Sequence, residues 1–277
     1  MSDEKSLKYN EPWILQRADP YVYRHTDGSY YFTASVPAYD GIVLRRAGTL
    51  AELSGAEEVM IWKKHESGPM SYHIWAPEIH YLFGKWYIYF AGGEAEDIWK
   101  IRPYVLECSG DDPLTDEWVE LGKMKRAAED EFSFEAFSLD ATVFENKGEY
   151  YYVWAEKVGV GKMISNLYIA KMESGNQLKT VQVLLTTPDY DWERKGFWVN
   201  EGPAVIHHDG KMFLTYSASE TGVDYCVGML SIDEDADILD PRLWKKERYP
   251  VLKTCEKLGI FMSSQKLFVT IIRCESF

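Results

Sequence analysis

Phe197-Trp198-Val199-Asn200-Glu201-Gly202-Pro203-Ala204-Val205 is the stretch from which the fold can be read. An acid is followed at once by Gly-Pro, which interrupts regular strand pairing. An apolar run comes next and ends in a turn at His208-Asp209-Gly210. Glu201 is therefore expected where a strand begins, at a rim.

The same pattern occurs three more times. Ala18-Asp19-Pro20-Tyr21-Val22-Tyr23 leads through Thr26-Asp27-Gly28 to Tyr30-Tyr31-Phe32-Thr33-Ala34. Trp75-Ala76-Pro77-Glu78-Ile79-His80 leads through Phe83-Gly84-Lys85 to Trp86-Tyr87-Ile88-Tyr89-Phe90. Leu139-Asp140-Ala141-Thr142-Val143-Phe144 leads through Asn146-Lys147-Gly148 to Tyr150-Tyr151-Tyr152-Val153-Trp154. The fourth copy, Glu201-Gly202-Pro203-Ala204-Val205-Ile206, leads through Asp209-Gly210 to Met212-Phe213-Leu214-Thr215-Tyr216. Each copy is a hairpin of β-branched and aromatic runs about a glycine turn, and each is followed by a third strand-like run. Helical periodicity is absent, and the acidic stretches at Asp111-Asp112 and Asp233-Glu234-Asp235 read as solvated loops.

Repeats about 60 residues apart predict an all-β, radially repeated sheet, a β-propeller. Blades are expected near residues 18–60, 75–120, 138–185 and 200–250 of one domain spanning 1–277. In such an array the innermost strands line a central channel. Repeat phase then brings Asp19, Asp140 and Glu201 together, with Trp75 at the matching rim of the second copy. After Thr254 the strand-like run Lys266-Leu267-Phe268-Val269-Thr270-Ile271-Ile272 has no turn-plus-aromatic partner. A fifth blade over 251–277 is thus expected to be incomplete.

Composition bounds the partners. The chain has 277 residues, 46% of them hydrophobic, enough for a full core. The aromatic share of 15% fits either strand packing or a sugar-stacking cleft. A net charge of −14 disfavours nucleic acid and anionic membranes and is compatible with a neutral ligand. Cys108, Cys226, Cys255 and Cys274 form no CxxC pair, and no histidine has zinc-ligand spacing, so no metal site is expected from them. Met1-Ser2-Asp3-Glu4-Lys5 opens without an apolar core, which predicts a cytoplasmic protein with reduced thiols.

Three inward carboxylates in one pocket raise one another's pKa, which can leave one protonated acid beside one ionised base. Glycoside hydrolysis needs such a pair: one group protonates the leaving oxygen, the other activates water or attacks carbon. Asp19 and Asp140 are equally suited to cap turns at strand starts. Trp75 suits either stacking on a sugar ring or filling a core.

At these residues the chain resembles glycoside hydrolase family 43, and most closely its α-L-arabinofuranosidases. The resemblance rests on Arg17-Ala18-Asp19-Pro20, His73-Ile74-Trp75-Ala76-Pro77-Glu78, Ser138-Leu139-Asp140-Ala141 and Asn200-Glu201-Gly202-Pro203, and runs from about Ala18 to Thr254. It implies a five-bladed β-propeller and inversion at the anomeric carbon. Asp19 would be the general base, Glu201 the general acid, and Asp140 would tune and orient that acid. Trp75 would pack against the innermost sugar. No cofactor is implied as a requirement, although some members hold a structural calcium on the propeller axis. The implied substrate is an oligosaccharide, an arabinan or arabinoxylan fragment. The fifth-blade segment of the family, with its axial histidine and substrate-facing arginine, has no counterpart after Gly259-Ile260-Phe261. Two other readings follow from the same residues: a β-xylosidase on this fold, or a catalytically impaired sugar-binding propeller. A WD- or kelch-type interaction propeller is disfavoured because neither signature occurs.

Overall fold

The computed structural model describes residues 13–255. Strands β1 (Ala18–Arg24), β2 (Tyr30–Ser35), β3 (Gly41–Ala47) and β4 (Val59–Lys63) form one antiparallel sheet in that order. Strands β5 (Tyr72–Leu82), β6 (Lys85–Glu94), β7 (Asp97–Cys108) and β8 (Trp118–Lys123) repeat the plan. A third unit contains β9 (Ser138–Asn146), β10 (Glu149–Val160) and β11 (Lys162–Ser174), with short β12 (Gln177–Leu178) and β13 (Val183–Thr186) on β11. A fourth contains β14 (Trp198–His208), β15 (Lys211–Ala218) and β16 (Cys226–Asp233), edged by β17 (Lys245–Lys246) and β18 (Leu252–Lys253). Among the described residues the only helices are three single 3-10 turns.

The fold is all-β, as the hairpin pattern predicted. The four turn glycines read from the sequence, Gly28, Gly84, Gly148 and Gly210, all have positive φ, between 70° and 90°. That backbone is open to glycine at little steric cost, so these positions set where each chain reversal falls. One feature was not anticipated. The third and fourth units are joined by a short parallel pairing of β11 with β14, Ile164 opposite Trp198 and Ser165 opposite Val199.

The core lies between successive units. Ile42 and Leu44 of the first pack with Ile79, Ile88 and Leu106 of the second. Tyr89 and Val105 of the second pack with Val143, Tyr152 and Trp154 of the third. Val153 and Ile169 of the third pack with Leu214 and Tyr216 of the fourth. Each unit therefore buries its apolar face against the next, as a radial array requires. Leu252–Lys253, assigned above to the start of a fifth blade, pairs with Cys226 and Val227 of β16. The rest of that expected blade, residues 256–277, lies outside the described residues.

The first strand of every unit carries a bulge at its motif. Pairing shifts between Ala18 and Tyr21, between Trp75 and Glu78, opposite Val153–Ala155 at Leu139–Thr142, and between Glu201 and Ala204. One residue inside each bulge is left-handed: Asp19 (φ 48°), Ala76 (49°), Asp140 (53°) and Gly202 (57°). The residue before it faces a small residue on the second strand: Ala18 opposite Ser35, Trp75 opposite Ala91, Leu139 opposite Ala155, Glu201 opposite Ser217. Bulges of this kind re-aim side chains at a rim, and small partners leave room for them.

Candidate active site

The bulges define the site's geometry and refine the expected phase. Glu201 is one residue out of step with Asp19 and Asp140. It occupies the same place as Trp75 and Leu139, before the left-handed residue. Trp75, Leu139 and Glu201 all line one cavity of about 450 Å³. Asp19 and Asp140 hold the left-handed position and are 2% and 6% exposed, buried beneath the rim. Aspartate tolerates this backbone better than most residues, and such conformations gather at functional sites.

Asp140 and Glu201 converge on Tyr225. The Tyr225 hydroxyl donates to Glu201 Oε1 at 3.0 Å. Burial pushes the Tyr225 phenol well above its ordinary pKa, and the charges of Glu201 and Asp140 push it further the same way. Tyr225 therefore remains a proton donor throughout the neutral range. Asp19 is tied to the second unit instead. Ser35 Oγ donates to Asp19 Oδ2 at 2.8 Å and accepts from the Ala76 amide at 2.7 Å. A single hydroxyl thus links the first acid to the bulge beside Trp75.

Trp75 sits in a run of aromatic rings. The His73 ring lies 4.3 Å from that of Trp75 and 5.2 Å from that of Trp99, at interplanar angles of 35° and 36°. The two indoles are themselves 6.3 Å apart, so the three rings form a triangular cluster, and burial lowers the His73 pKa, which favours the neutral imidazole there. Trp99, 61% exposed, carries this surface to the cavity mouth, with Phe197 also exposed there.

The sequence reading missed three residues that shape the site. Lys157 lines the cavity, two residues beyond Ala155 on β10. Ser219, two beyond Ser217, lines it as well, so repeat phase on the second strands would have pointed to Lys157. Glu193 is fully buried and accepts from Asn200 Nδ2, the Tyr216 hydroxyl, Lys246 Nζ and the amides of Asp189 and Tyr190, at 2.8–3.0 Å. It anchors Asn200, immediately before Glu201. Glu156, 3% exposed, accepts from the amides of Phe134 and Ala136 and from Trp154 Nε1. It thereby holds the segment that presents Phe137 to the cavity. Glu156 lies within β10 and Glu193 ends a 3-10 turn, and in neither place does the local sequence signal a buried acid.

Below the rim, Glu78 and His80 form a buried pair at 3.0 Å. Among the described residues no three His, Cys, Asp or Glu side chains come together to hold a metal ion. The calcium implied by the family resemblance finds no side-chain cage there.

Comparison with known proteins places this arrangement. The sequence matches the Glycosyl hydrolases family 43 over residues 9–271. It is 48% identical over 254 residues to a Streptomyces avermitilis protein named an extracellular exo-α-(1→5)-L-arabinofuranosidase, covering 92% of this chain and 52% of that relative. A Streptomyces chartreusis protein of the same name is 48% identical over 243 residues, covering 88% of this chain and 72% of its own length. The chain thus spans about half of one relative and more of the other. Among solved structures, an α-L-arabinofuranosidase from Lactobacillus brevis superposes with a TM-score of 0.82 at 50% identity, covering 91% of this chain and 78% of that one. The expectation of a cytoplasmic protein is corrected by these relatives, since both Streptomyces proteins are named extracellular. With its motifs in order on four bulged strands and the match running over nearly its whole length, the chain belongs to glycosyl hydrolases family 43.

Proposed function

We propose that the chain is an inverting glycoside hydrolase that releases terminal α-L-arabinofuranose from arabino-oligosaccharides. It would work as a single β-propeller domain of five blades. Asp19 is the general base, Glu201 the general acid, Asp140 the residue that tunes and orients Glu201, and Trp75 the stacking surface for the innermost sugar. The observation that carries this reading is the bulge phase. It sets Glu201 and Trp75 on the lining of one cavity, with Tyr225 hydrogen-bonded to Glu201 and within reach of the Asp140 charge.

The chemistry follows from these positions. Glu201 gives its proton to the glycosidic oxygen as that oxygen leaves the anomeric carbon. A water attacks the opposite face of the carbon, and Asp19 takes the proton that the water sheds. Asp140, a second negative charge near Glu201, favours the protonated form that a general acid needs. The half-buried Trp75 shields one face of the ring and limits water to the side of the base.

The test is incubation with nitrophenyl α-L-arabinofuranoside, nitrophenyl β-xyloside and arabinobiose, with the product anomer followed by proton NMR. Release of arabinose with inverted configuration supports the reading. Turnover of the xyloside alone would assign a β-xylosidase, and tight arabinobiose binding without turnover would assign a sugar-binding propeller.

A further inference from the structure

Lys157 and Glu201 are the only charged residues among those described that line the cavity. Lys157 is half-buried near the end of β10, opposite Ser165 of β11. Its amide donates to the Phe137 carbonyl at 2.9 Å, and its ammonium lies 3.7 Å from the centre of the Phe137 ring. The ring is held in turn by Glu156, through the amides of Phe134 and Ala136. The ammonium is thus seated on an aromatic face at a fixed place, which such a cation tolerates through attraction to the ring quadrupole.

We propose that Lys157 is the counter-charge of Glu201, a positioning residue that balances the carboxylate left when Glu201 gives its proton to the leaving oxygen. The inference rests on the assignment of Glu201 as the acid. Among the groups that bear on Glu201 are the Tyr225 hydroxyl from the loop before β16 and Lys157 from β10; Asp140 of β9 acts on the same Tyr225, and Asn200, the neighbour of Glu201 on β14, turns its amide to Glu193. Asp140 alone would leave two like charges acting on one buried tyrosine after proton transfer. A cation lining the same cavity offsets that repulsion and lets the proton leave. Burial lowers the Lys157 pKa while Glu201 acts to raise it, as two charges lining one cavity would.

The direction of the effect is fixed by charge. A cation favours the ionised form of a neighbouring acid, so removing it raises the acid's pKa. Protein carrying [δ-13C]glutamate is titrated by NMR as wild type, Lys157→Met and Lys157→Arg. The Glu201 resonance is assigned by its loss in Glu201→Gln. In Lys157→Met the Glu201 midpoint is expected to rise by roughly one pH unit, and Lys157→Arg is expected to stay near wild type. Lys157→Gln, checked by circular dichroism, serves as the second neutral variant if the methionine disturbs folding. A midpoint that does not move in either neutral variant overturns the proposal. In parallel, the alkaline limb of kcat/KM on an arabinofuranoside should move up with the midpoint, with about tenfold lower kcat on a poor leaving group. If the wild-type protein turns over no arabinofuranoside, the functional reading fails, while the NMR midpoint still decides the pairing of Lys157 with Glu201.

Discussion

Tyr225 donates its phenol hydrogen to Glu201 Oε1 at 3.0 Å, across from the short loop that precedes β16. Tyr225 is fully buried, so its ring cannot swing away without opening the core. The bond therefore fixes one carboxylate oxygen of the candidate acid and leaves the other to address the leaving group. Replacing Tyr225 with Phe removes this donor at little cost in packing. Stability should fall by about 1 kcal/mol, the net worth of one such hydrogen bond. Turnover should fall about tenfold with KM nearly unchanged, because orientation of the acid matters in the transition state. Urea unfolding and steady-state kinetics on one sample check both.

The left-handed residue at each bulge gives a second prediction. Ala76 adopts φ 49° although it has a Cβ, which costs an L-residue roughly 1–2 kcal/mol. Ala76→Gly should therefore be neutral to stabilising, by up to about 1 kcal/mol after the extra freedom of unfolded glycine is counted. Gly202→Ala should be destabilising by about 1–2 kcal/mol and should lower turnover, since it distorts the bulge that aims Glu201. Chemical denaturation of the two variants, with opposite signs, is the measurement.

Glu193 offers a third. It is buried against Lys246, whose side chain is itself 14% exposed, and it holds Asn200 beside the acid. Removing one member of a buried ion pair leaves the other unbalanced, so Glu193→Ala should cost about 3–5 kcal/mol. Thermal melting should show this loss before any effect on sugar binding is measured.

Acid pH should destabilise the fold. Asp130 is buried, which by itself raises its pKa. Hydrogen bonds from Ser133, Phe132 and Gln182 outweigh that and hold it below the usual carboxylate range. Arg17 and Arg45 likewise outweigh burial at Glu58. A depressed folded-state pKa contributes stability that is present above the unfolded value of about 4 and is lost as pH falls through the lower folded value. Melting temperature should thus decline below about pH 4. Asp130→Asn, which cannot titrate, should be less stable at neutral pH and show a shallower acid decline.

The exposed Trp99 should matter only for longer substrates. It stacks on His73 at the cavity mouth, beyond Trp75. Trp99→Ala should raise KM for arabinobiose and arabinotriose several-fold, in keeping with the worth of one aromatic platform, and leave kcat on a nitrophenyl arabinofuranoside unchanged.

The hairpins were legible because glycine marks their turns, and Gly28, Gly84, Gly148 and Gly210 all take the left-handed backbone that only glycine adopts readily. The third strand-like runs were legible for the same reason that β-branched and aromatic residues favour strands: β3, β7, β11 and β16 cover them. The offset of Glu201 from Asp19 was present in the motifs, where Pro20, Pro77 and Pro203 fall in register, but the left-handed backbone that gives it meaning was not legible. The bulge residue is glycine in only one copy, and alanine at Ala76 gives no signal of a left-handed turn. Lys157 could have been found only by carrying the repeat phase to the second strands, where it matches Ser219; no pattern within β10 itself points to the cavity. The meeting of Lys157 with Glu201 depends on the short parallel join of β11 to β14, a long-range pairing with no sequence signature.

The central claim is that Glu201 is the general acid of an arabinofuranosidase. It is tested most directly by comparing Glu201→Gln with the unaltered protein on arabinofuranosides of good and poor leaving groups. General acid help matters most where the leaving group is poor. The account predicts a loss in kcat/KM of about 10²–10⁴ on the poor leaving group and a far smaller loss on the good one. Equal losses on both substrates would contradict it and move the acid elsewhere in the cavity.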